Sequence, residues 1–454
     1  MCCRADLLDY ASGMQIREIR IDGIRGFGGD QLSIPLASTG KNPPRWIVLA
    51  GRNGAGKSTF LQAAALAIAG PSVARLLAES FAGWVRQDRE SASVAVRLQF
   101  EERDIFSAGR KPTFDPWVGL TWKAGGGPEP SLDKYNPGRN WDPFRGPWAE
   151  NPKGWFTAGY GPFRRISPAP TEAQRVMMTP GRPAGLASLF REEASLSESV
   201  QWLQQIYLRR LEQRPNAQND EELILGMLGD GLLPEGMSVD RVDSEGLWIR
   251  SPEGQSIALN SLSDGYRTVA AMVLDLLKQL RSSVDEIDYS VEEGGYKIHN
   301  EGVVFIDEVD VHLHVEWQKR IGFWLKSHFP NVQFIVSTHS PFICQAADEG
   351  GLIGLAPSWS GEVQARVIEG EEFRRVVNGT LDDAILSNLF GVESVISERS
   401  EAIRGRIAEL ESRLLRGGLE GHEAEELDEL RGEVPTSQAD LAIRKALSAI
   451  GEGV

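Results

Sequence analysis

Gly51-Arg52-Asn53-Gly54-Ala55-Gly56-Lys57-Ser58 is the stretch on which the reading of this chain turns. An apolar run, Trp46-Ile47-Val48-Leu49-Ala50, precedes it and has the composition of a buried strand. Thr59-Phe60-Leu61-Gln62-Ala63-Ala64-Ala65-Leu66-Ala67 follows it, and these alanines and leucines favour a helix. Glycines between a strand and a helix let backbone N–H groups turn inward around an anion. The helix N-terminus adds its partial positive charge at the same point. Asn53, Gly54, Ala55, Gly56, Lys57, Ser58 and Thr59 are therefore candidate phosphate-binding residues. Lys57 can reach the β- and γ-phosphates of a nucleotide such as ATP, and the Ser58 hydroxyl can ligate Mg²⁺.

Working outward, the 454 residues allow roughly two to four domains, or one large domain with insertions. With 41% hydrophobic and 25% charged residues the composition is that of an ordinary globular protein. No apolar run approaches the ~18 residues that a membrane span needs. Met1 to Asp6 lacks the apolar core of a signal peptide, so no membrane partner and a cytoplasmic location are expected. A net charge of −16 argues against coating nucleic acid by bulk electrostatics, while leaving room for a local basic patch. Cys2, Cys3 and Cys344 are too few and too scattered for a disulfide framework or a zinc site.

Residues 1–13 lack periodicity and are expected to be disordered. Residues 14–106 hold β-branched strands, the phosphate loop and an alternating run from Ser93 to Phe100. Residues 107–163, rich in Pro and Gly, carry five of the twelve tryptophans and read as an irregular insertion with a hairpin through Trp117 to Trp122. Those tryptophans could stack bases, but anchoring a loop-rich segment is the stronger expectation. A helical lobe and a β-hairpin turning at Ser244-Glu245-Gly246 fill residues 164–260, with helical spacing from Leu186 to Leu211. Residues 261–394 hold a helix from Thr268 to Leu280, an acidic surface excursion over 282–301, and two apolar strands, Val303 to Ile306 and Val332 to Val336. The tail, 395–454, reads as a helical hairpin with Ile403, Ile407, Leu410 and Leu414 on its seam. Strands separated by helices predict an α/β fold on a parallel sheet, with functional groups beyond the strand C-termini.

Asp307, at the end of the Val303–Ile306 run, is where a phosphate-loop enzyme holds Mg²⁺. Glu308 beside it can orient and deprotonate a water. His339, ending the next strand, could contact a γ-phosphate. Ser263 can cap the helix that opens at Gly265, leaving its N-terminal dipole to face an anion together with Asp264 and Gly265. Asp310, His312 and His314 lie close in sequence, but a segment joining two sites is a simpler account of them than a metal cluster.

Taken in order, Gly51–Ser58, Leu262-Ser263-Asp264-Gly265, Val304–Glu308, Val309–His314 and Ser337-Thr338-His339-Ser340-Pro341 resemble the ABC-type ATPases of the RecF, SMC and OLD kind. The resemblance implies an ABC-type head with an antiparallel β subdomain and a helical lobe. It makes these stretches the Walker A loop, the signature, Walker B with catalytic Glu308, the D-loop and the switch His339. It further implies a head-to-tail homodimer, or a higher oligomer, with ATP sandwiched between copies. Asp264-Gly265-Tyr266 departs from the transporter pattern, and Asp264 would repel a phosphate. The Q-loop is either at Gln99 or in the turn Gly159–Arg165. That turn, Tyr266 and the tail hairpin are similar to ATPase subunits of bacterial anti-phage systems, including Septu, whose ATPase works with an HNH nuclease, and those tied to retrons. An effector nuclease is then the expected partner. DNA or an RNA–DNA element is a further expected partner. The alternatives are a RecF- or SMC-like repair or chromosome-maintenance ATPase that binds DNA, and an OLD-type nuclease. For the last, Glu369 superficially fits a Toprim glutamate, but Asp382-Asp383 are adjacent rather than alternate.

Overall fold

The computed structural model describes residues 14–434 apart from 29–30, 37–41, 101–105, 107–111, 126, 139–140, 150–155, 165–175, 178–180, 193, 195, 235, 285, 293–294, 362, 393, 417 and 419. The expectations for 1–13, Trp155, Arg165 and the end of the tail lie outside the described residues.

The run before the phosphate loop is strand β3 (Trp46–Gly51), buried along its whole length. A strand with no polar face fits only the interior of a sheet covered on both sides. Its neighbours β14 (Val332–Thr338) and β15 (Leu352–Leu355) both run parallel to it. β13 (Gly302–Ile306) pairs with β14, and β7 (Thr157–Tyr160) with β13, again parallel; β16 (Ala365–Val367) lies antiparallel on β15. The order is β16-β15-β3-β14-β13-β7. Because β3, β14 and β13 are parallel, Gly51, Thr338 and Ile306 end on one side of the sheet.

Side chains alternate across the sheet and feed two cores. Ile47 and Leu49 join one, Trp46, Val48 and Ala50 the other. The first core contains α1 (Lys57–Ala69), α2 (Pro71–Leu77) and an antiparallel sheet. That sheet comprises β1 (Gln15–Asp22), β2 (Leu32–Pro35), β4 (Ser91–Gln99), β5 (Trp117–Lys123) and β6 (Ser131–Lys134), in the order β2-β1-β4-β5-β6. Ala63, Ala64, Ala65 and Ala67 are all buried, so α1 has small side chains toward both sheets it lies between. The second core carries α3 (Arg182–Phe190), α4 (Ser197–Leu211), α5 (Ala217–Gly229), α6 (Asp264–Ser283) and α7 (Val315–His328). Two small sheets complete this side: β8 (Ser238–Asp243), β9 (Gly246–Arg250) and β10 (Ser256–Ala258), and the hairpin of β11 (Tyr289–Glu292) and β12 (Gly295–Ile298). α8 (Pro341–Cys344), α9 (Gly370–Asn378) and α10 (Leu381–Ile385) follow.

The 107–163 stretch, expected as an irregular insertion, contributes strands to both sheets. β5 and β6 extend the antiparallel sheet and β7 adds to the central one. Trp117 to Trp122 forms one strand rather than a hairpin, whose turn falls later, between β5 and β6. Trp122 is fully buried and stacks on Trp84 at 5.1 Å. Trp148 packs on Gly70 and donates from Nε1 to the Ala67 carbonyl at 3.0 Å. These indoles hold protein rather than bases. The 282–301 stretch is likewise more than a surface excursion, since Ile287 and Ile298 enter the core. The helical spacing from Leu186 to Leu211 belongs to two helices, α3 and α4.

A second compact unit starts at Val392. In it α11 (Glu398–Leu415) and α12 (Gly421–Glu433) form an antiparallel hairpin, with Arg406 paired to Glu426 at 2.8 Å and Arg431 to Glu411 at 2.6 Å. Leu410 and Leu427 are buried but Leu414 is 50% exposed, so the apolar seam is shorter than expected.

One amide ties the two sheets together. Beyond the four residues that pair with β2, the outer side of β1 has no strand partner among the described residues. Gln333 of β14, fully buried, takes that place: its Oε1 accepts from Ile16 N at 2.8 Å, and its Nε2 donates to Ile16 O and Pro44 O, each at 3.1 Å. Gln333→Leu keeps the volume but strands the buried N–H and carbonyl of Ile16, each worth about 1–3 kcal/mol when unpaired, and frees the half-buried carbonyl of Pro44. Denaturant titration should show stability lowered by about 2–4 kcal/mol at an unchanged slope; no loss would mean that the link is idle.

Candidate functional site

The loop leaving β3 wraps because its glycines sit where L side chains do not. Gly54 and Gly56 have φ of 78° and 88°. A Cβ on Gly51 would lie 2.2 Å from the Leu355 carbonyl oxygen, and one on Gly56 would meet the Phe27 ring at 2.9 Å. Packed from both sides, the loop is fixed before any ligand arrives. Lys57 opens α1 almost fully buried, and its Nζ donates to the carbonyls of Gly51 at 2.9 Å and Arg52 at 3.3 Å. Burial lowers the Lys57 pKa; Asp307, Glu308 and Asp310 oppose that shift. α1 has no side-chain cap, which leaves its N-terminal N–H groups to the loop interior.

The acidic side is built by strand register. Ile306 of β13 lies opposite Val336 of β14, so Asp307 and Ser337 come next. The Ser337 hydroxyl donates to the Asp307 carboxylate and accepts from Glu308 N at 2.8 Å. Asp307 is 3% exposed, and its N–H bonds the Tyr160 carbonyl at 2.7 Å. Glu308 has φ of 46°, unusual for a residue with a side chain, which turns the backbone sharply after the strand. Burial raises its pKa, Asp307 and Asp310 raise it further, and Lys57 and Arg164 oppose them. Thr338 donates to Asp310, which also accepts from His339 N at 3.4 Å. His339 itself is exposed; partial burial and then Lys57 lower its pKa, against Asp310 and Asp307.

Of the two Q-loop candidates only one reaches this site. Gln99 lies in β4 and accepts from Arg17 at 3.1 Å. The turn after β7 brings in Arg164, 5% exposed, whose Nη2 donates to the Glu308 carbonyl at 2.8 Å. Burial pushes the Arg164 pKa down to about 10, against the pull of Asp310, Asp307 and Glu308. Tyr160, from the same segment, bonds Asp275 of α6 at 3.1 Å, linking the sheet edge to the helical lobe.

Ser263 holds the N-cap position of α6 but makes no side-chain capping bond, so the expected serine cap is absent and its hydroxyl stays exposed. Asp264 is paired with Arg267, which also donates to the Asn260 carbonyl at 3.1 Å. The repulsion expected from Asp264 is thereby offset. A Cβ on Gly265 would sit 2.6 Å from the His312 carbonyl oxygen, so the glycine lets the two segments touch. Around them lies a cleft of about 480 Å³ lined by Ser263–Tyr266, His312–His314 and Trp317. No residue of the phosphate loop lines it.

The structure thus brings Lys57, Asp307, Glu308 and the backbone of His339 together at the strand ends and leaves Ser263, Asp264 and Gly265 at a separate cleft. Ser58 and Asp307 could hold Mg²⁺, since a hydroxyl and a carboxylate are the hard oxygen donors that ion takes. In the sequence Arg164 stands out only as part of the candidate Q-loop turn and Asp310 only as part of the segment joining two sites, while Ser337 carries no signal of its own. Aligning the two apolar runs as adjacent parallel strands pairs Ser337 with Asp307; the signal for Arg164 is its place in the turn Gly159–Arg165.

With this geometry in view, known proteins can be compared. The model described as "AAA domain, putative AbiEii toxin, Type IV TA system" matches residues 183–345. The chain is similar to the Retron Ec83 probable ATPase of Escherichia coli, 32% identical over 30% of this chain and 22% of that one. It is similar to the Septu protein PtuA of Bacillus thuringiensis, 30% identical over 33% of this chain and 36% of that one. The PtuA of Bacillus mycoides (strain KBAB4) is 23% identical over 86% of this chain. The chain spans under half the length of these relatives, 47% for the last. The Smc head from Pyrococcus furiosus covers 80% of this chain and 99% of its own at 14% identity and a TM-score of 0.47. The resemblance to Septu and retron ATPases therefore holds.

Burial, with Asp307 and Asp310 beside it, makes an ionised Glu308 costly to the fold. Since Glu308 titrates higher folded than unfolded, wild type loses stability as pH rises through the unfolded and then the folded pKa, and carries that penalty at neutral pH. Glu308→Gln should melt higher at pH 7, by the order of 1 kcal/mol after discounting for solvent screening at this half-buried site. The gain should shrink as pH falls below the raised pKa. A gain that grows on acidification would contradict the crowding of charge.

Proposed function

We propose that this chain binds and hydrolyses ATP as the ATPase of a bacterial anti-phage complex that scaffolds or regulates a partner nuclease. The observation that carries the reading is the meeting of a buried lysine in a rigid glycine loop with Asp307 and Glu308 at the ends of adjacent parallel strands. In this reading Lys57 gives up its bonds to the Gly51 and Arg52 carbonyls and donates to the β- and γ-phosphates. The N–H groups from Asn53 to Thr59 hold the remaining phosphate oxygens. Ser58 and Asp307 hold Mg²⁺, which when bound neutralises developing charge on the phosphates. Glu308, its backbone fixed from both sides by Ser337 and Arg164, accepts a proton from the attacking water. His339 contacts the γ-phosphate.

The start of α6 is read as the part that meets the nucleotide of a second copy, because Ser263 and Gly265 open on a cleft apart from the loop. Two head-to-tail sites follow, with ATP held between copies. Similarity to Septu and retron ATPases supports the defence setting and a nuclease partner.

Lys57→Ala should weaken ATP binding tenfold or more in calorimetry, since each hydrogen bond to a charged group is worth roughly 1.5–3 kcal/mol. Glu308→Gln should bind ATP normally, hydrolyse it about 10²–10⁴-fold more slowly, and accumulate as an ATP-held dimer in light scattering. Full hydrolysis with no gain in mass would remove the assignment.

We also read the effector chemistry as lying in the partner. Glu369 holds the N-cap position of α9, and Asp383 of α10 is engaged in a capping box with Thr380, which supports that reading. The chain alone should leave supercoiled plasmid intact with Mg²⁺ or Mn²⁺ and ATP. Nicking abolished by Glu369→Gln would show a nuclease in this chain.

A further inference from the structure

Trp359, in the loop between β15 and β16, is 75% exposed, the most exposed tryptophan among the described residues. Its position is not that of a loose surface side chain. A Cβ on Gly54 would lie 2.6 Å from the edge of its ring, so the indole rests against the phosphate loop itself. The loop that presents it is shaped: Ser360 N donates to the Pro357 carbonyl at 3.0 Å, and Ala356 N to the Gln364 carbonyl at 2.9 Å. Gln364 then donates to Gly26 O at 2.7 Å and accepts from Gly28 N at 3.1 Å. Those two glycines flank Phe27, whose ring packs under Gly56. The β15–β16 loop and the β1–β2 turn are thus joined into one rim along one side of the phosphate loop.

Sheet order says which side. β3 lies between β14 and β15. Asp307 and Glu308 follow β13 and His339 follows β14, all on the β14 side, while Trp359 follows β15 on the other. A triphosphate lying across the loop with its γ end at the carboxylates therefore has its nucleoside end on the β15 side. On that side stands the Trp359 indole, 75% exposed.

We propose that Trp359 is a stacking platform for the base of the bound nucleotide, with purines as the ligand class. The proposal rests on the nucleotide reading of the loop. An indole face offers no hydrogen-bond pattern, so it favours ring area over base identity. Adenine and guanine should be accepted alike, and a pyrimidine less well.

Calorimetry with the full chain and Mg²⁺ separates the two readings by comparing ATP with inorganic tripolyphosphate. Wild type should bind ATP about tenfold or more tighter than tripolyphosphate, the scale of one base–aromatic stack. Trp359→Ala should bring ATP to the level of tripolyphosphate, while tripolyphosphate affinity stays unchanged. Trp359→Phe should keep most of the difference, and Lys57→Ala should weaken both ligands tenfold or more. Because the indole is exposed, truncating it should not move the melting temperature, which can be checked alongside. Trp359→Ala binding ATP as tightly as wild type would overturn the platform while leaving the phosphate site standing. Tighter binding of both ligands would overturn it too, making Trp359 a cover over the loop. If wild type binds neither ligand, the phosphate-loop reading falls and the platform with it.

Discussion

The site depends on three parallel strands ending level with one another. Thr338 lies opposite Ala50, and Ile306 opposite Val336, so the residues that follow each strand meet without any long side chain having to reach. The Ser337 hydroxyl closes this arrangement, bonded at once to the Asp307 carboxylate and the Glu308 N–H. Moved by one residue, β14 would turn Ser337 away from Asp307 and exchange the faces of Phe334 and Ile335, which now serve different cores. Packing on both faces of the sheet therefore fixes the chemistry at its edge.

Charge at this edge is arranged around what is to be bound. Lys57 and Arg164 are both buried and both face Asp307, Glu308 and Asp310. Their roles differ with their partners. Arg164 donates to the carbonyl that follows β13, whereas Lys57 rests on carbonyls of the glycine loop itself. Asp264 shows the same economy at the other cleft, since Arg267 three residues on takes up its charge.

Much of this was legible from sequence because it is local. The run Trp46–Ala50, the glycines of the loop and the apolar strands ending at Ile306 and Val336 each announce themselves within ten residues. The α/β class, the loop and the carboxylates follow from them. What stayed hidden depends on distant pairing. β5, β6 and β7 sit in a stretch whose Pro and Gly content reads as loop, yet β5 is held by β4 and β7 by β13, strands from elsewhere in the chain, and β6 pairs in turn on β5. Arg164 reaches the Glu308 carbonyl only because β7 lies beside β13. The Ser263 cap failed for a different reason: a serine at an N-cap position has several rotamers, and local sequence does not choose among them.

The threading of β3 has a consequence for how the protein is made. β3 ends at Gly51, but the strands on either side of it begin at Val332 and Leu352. On a ribosome, an entirely apolar strand emerges early and waits for some 280 residues (332 − 51 = 281) before its first sheet neighbour exists. Gln333, which satisfies Ile16, arrives as late. The N-terminal antiparallel sheet and α1 can form meanwhile and cover one face of the strand, leaving its unpaired edges exposed. Synthesis in the cell thus passes through a stage prone to self-association, and truncation before β14 should yield insoluble rather than partly active chains.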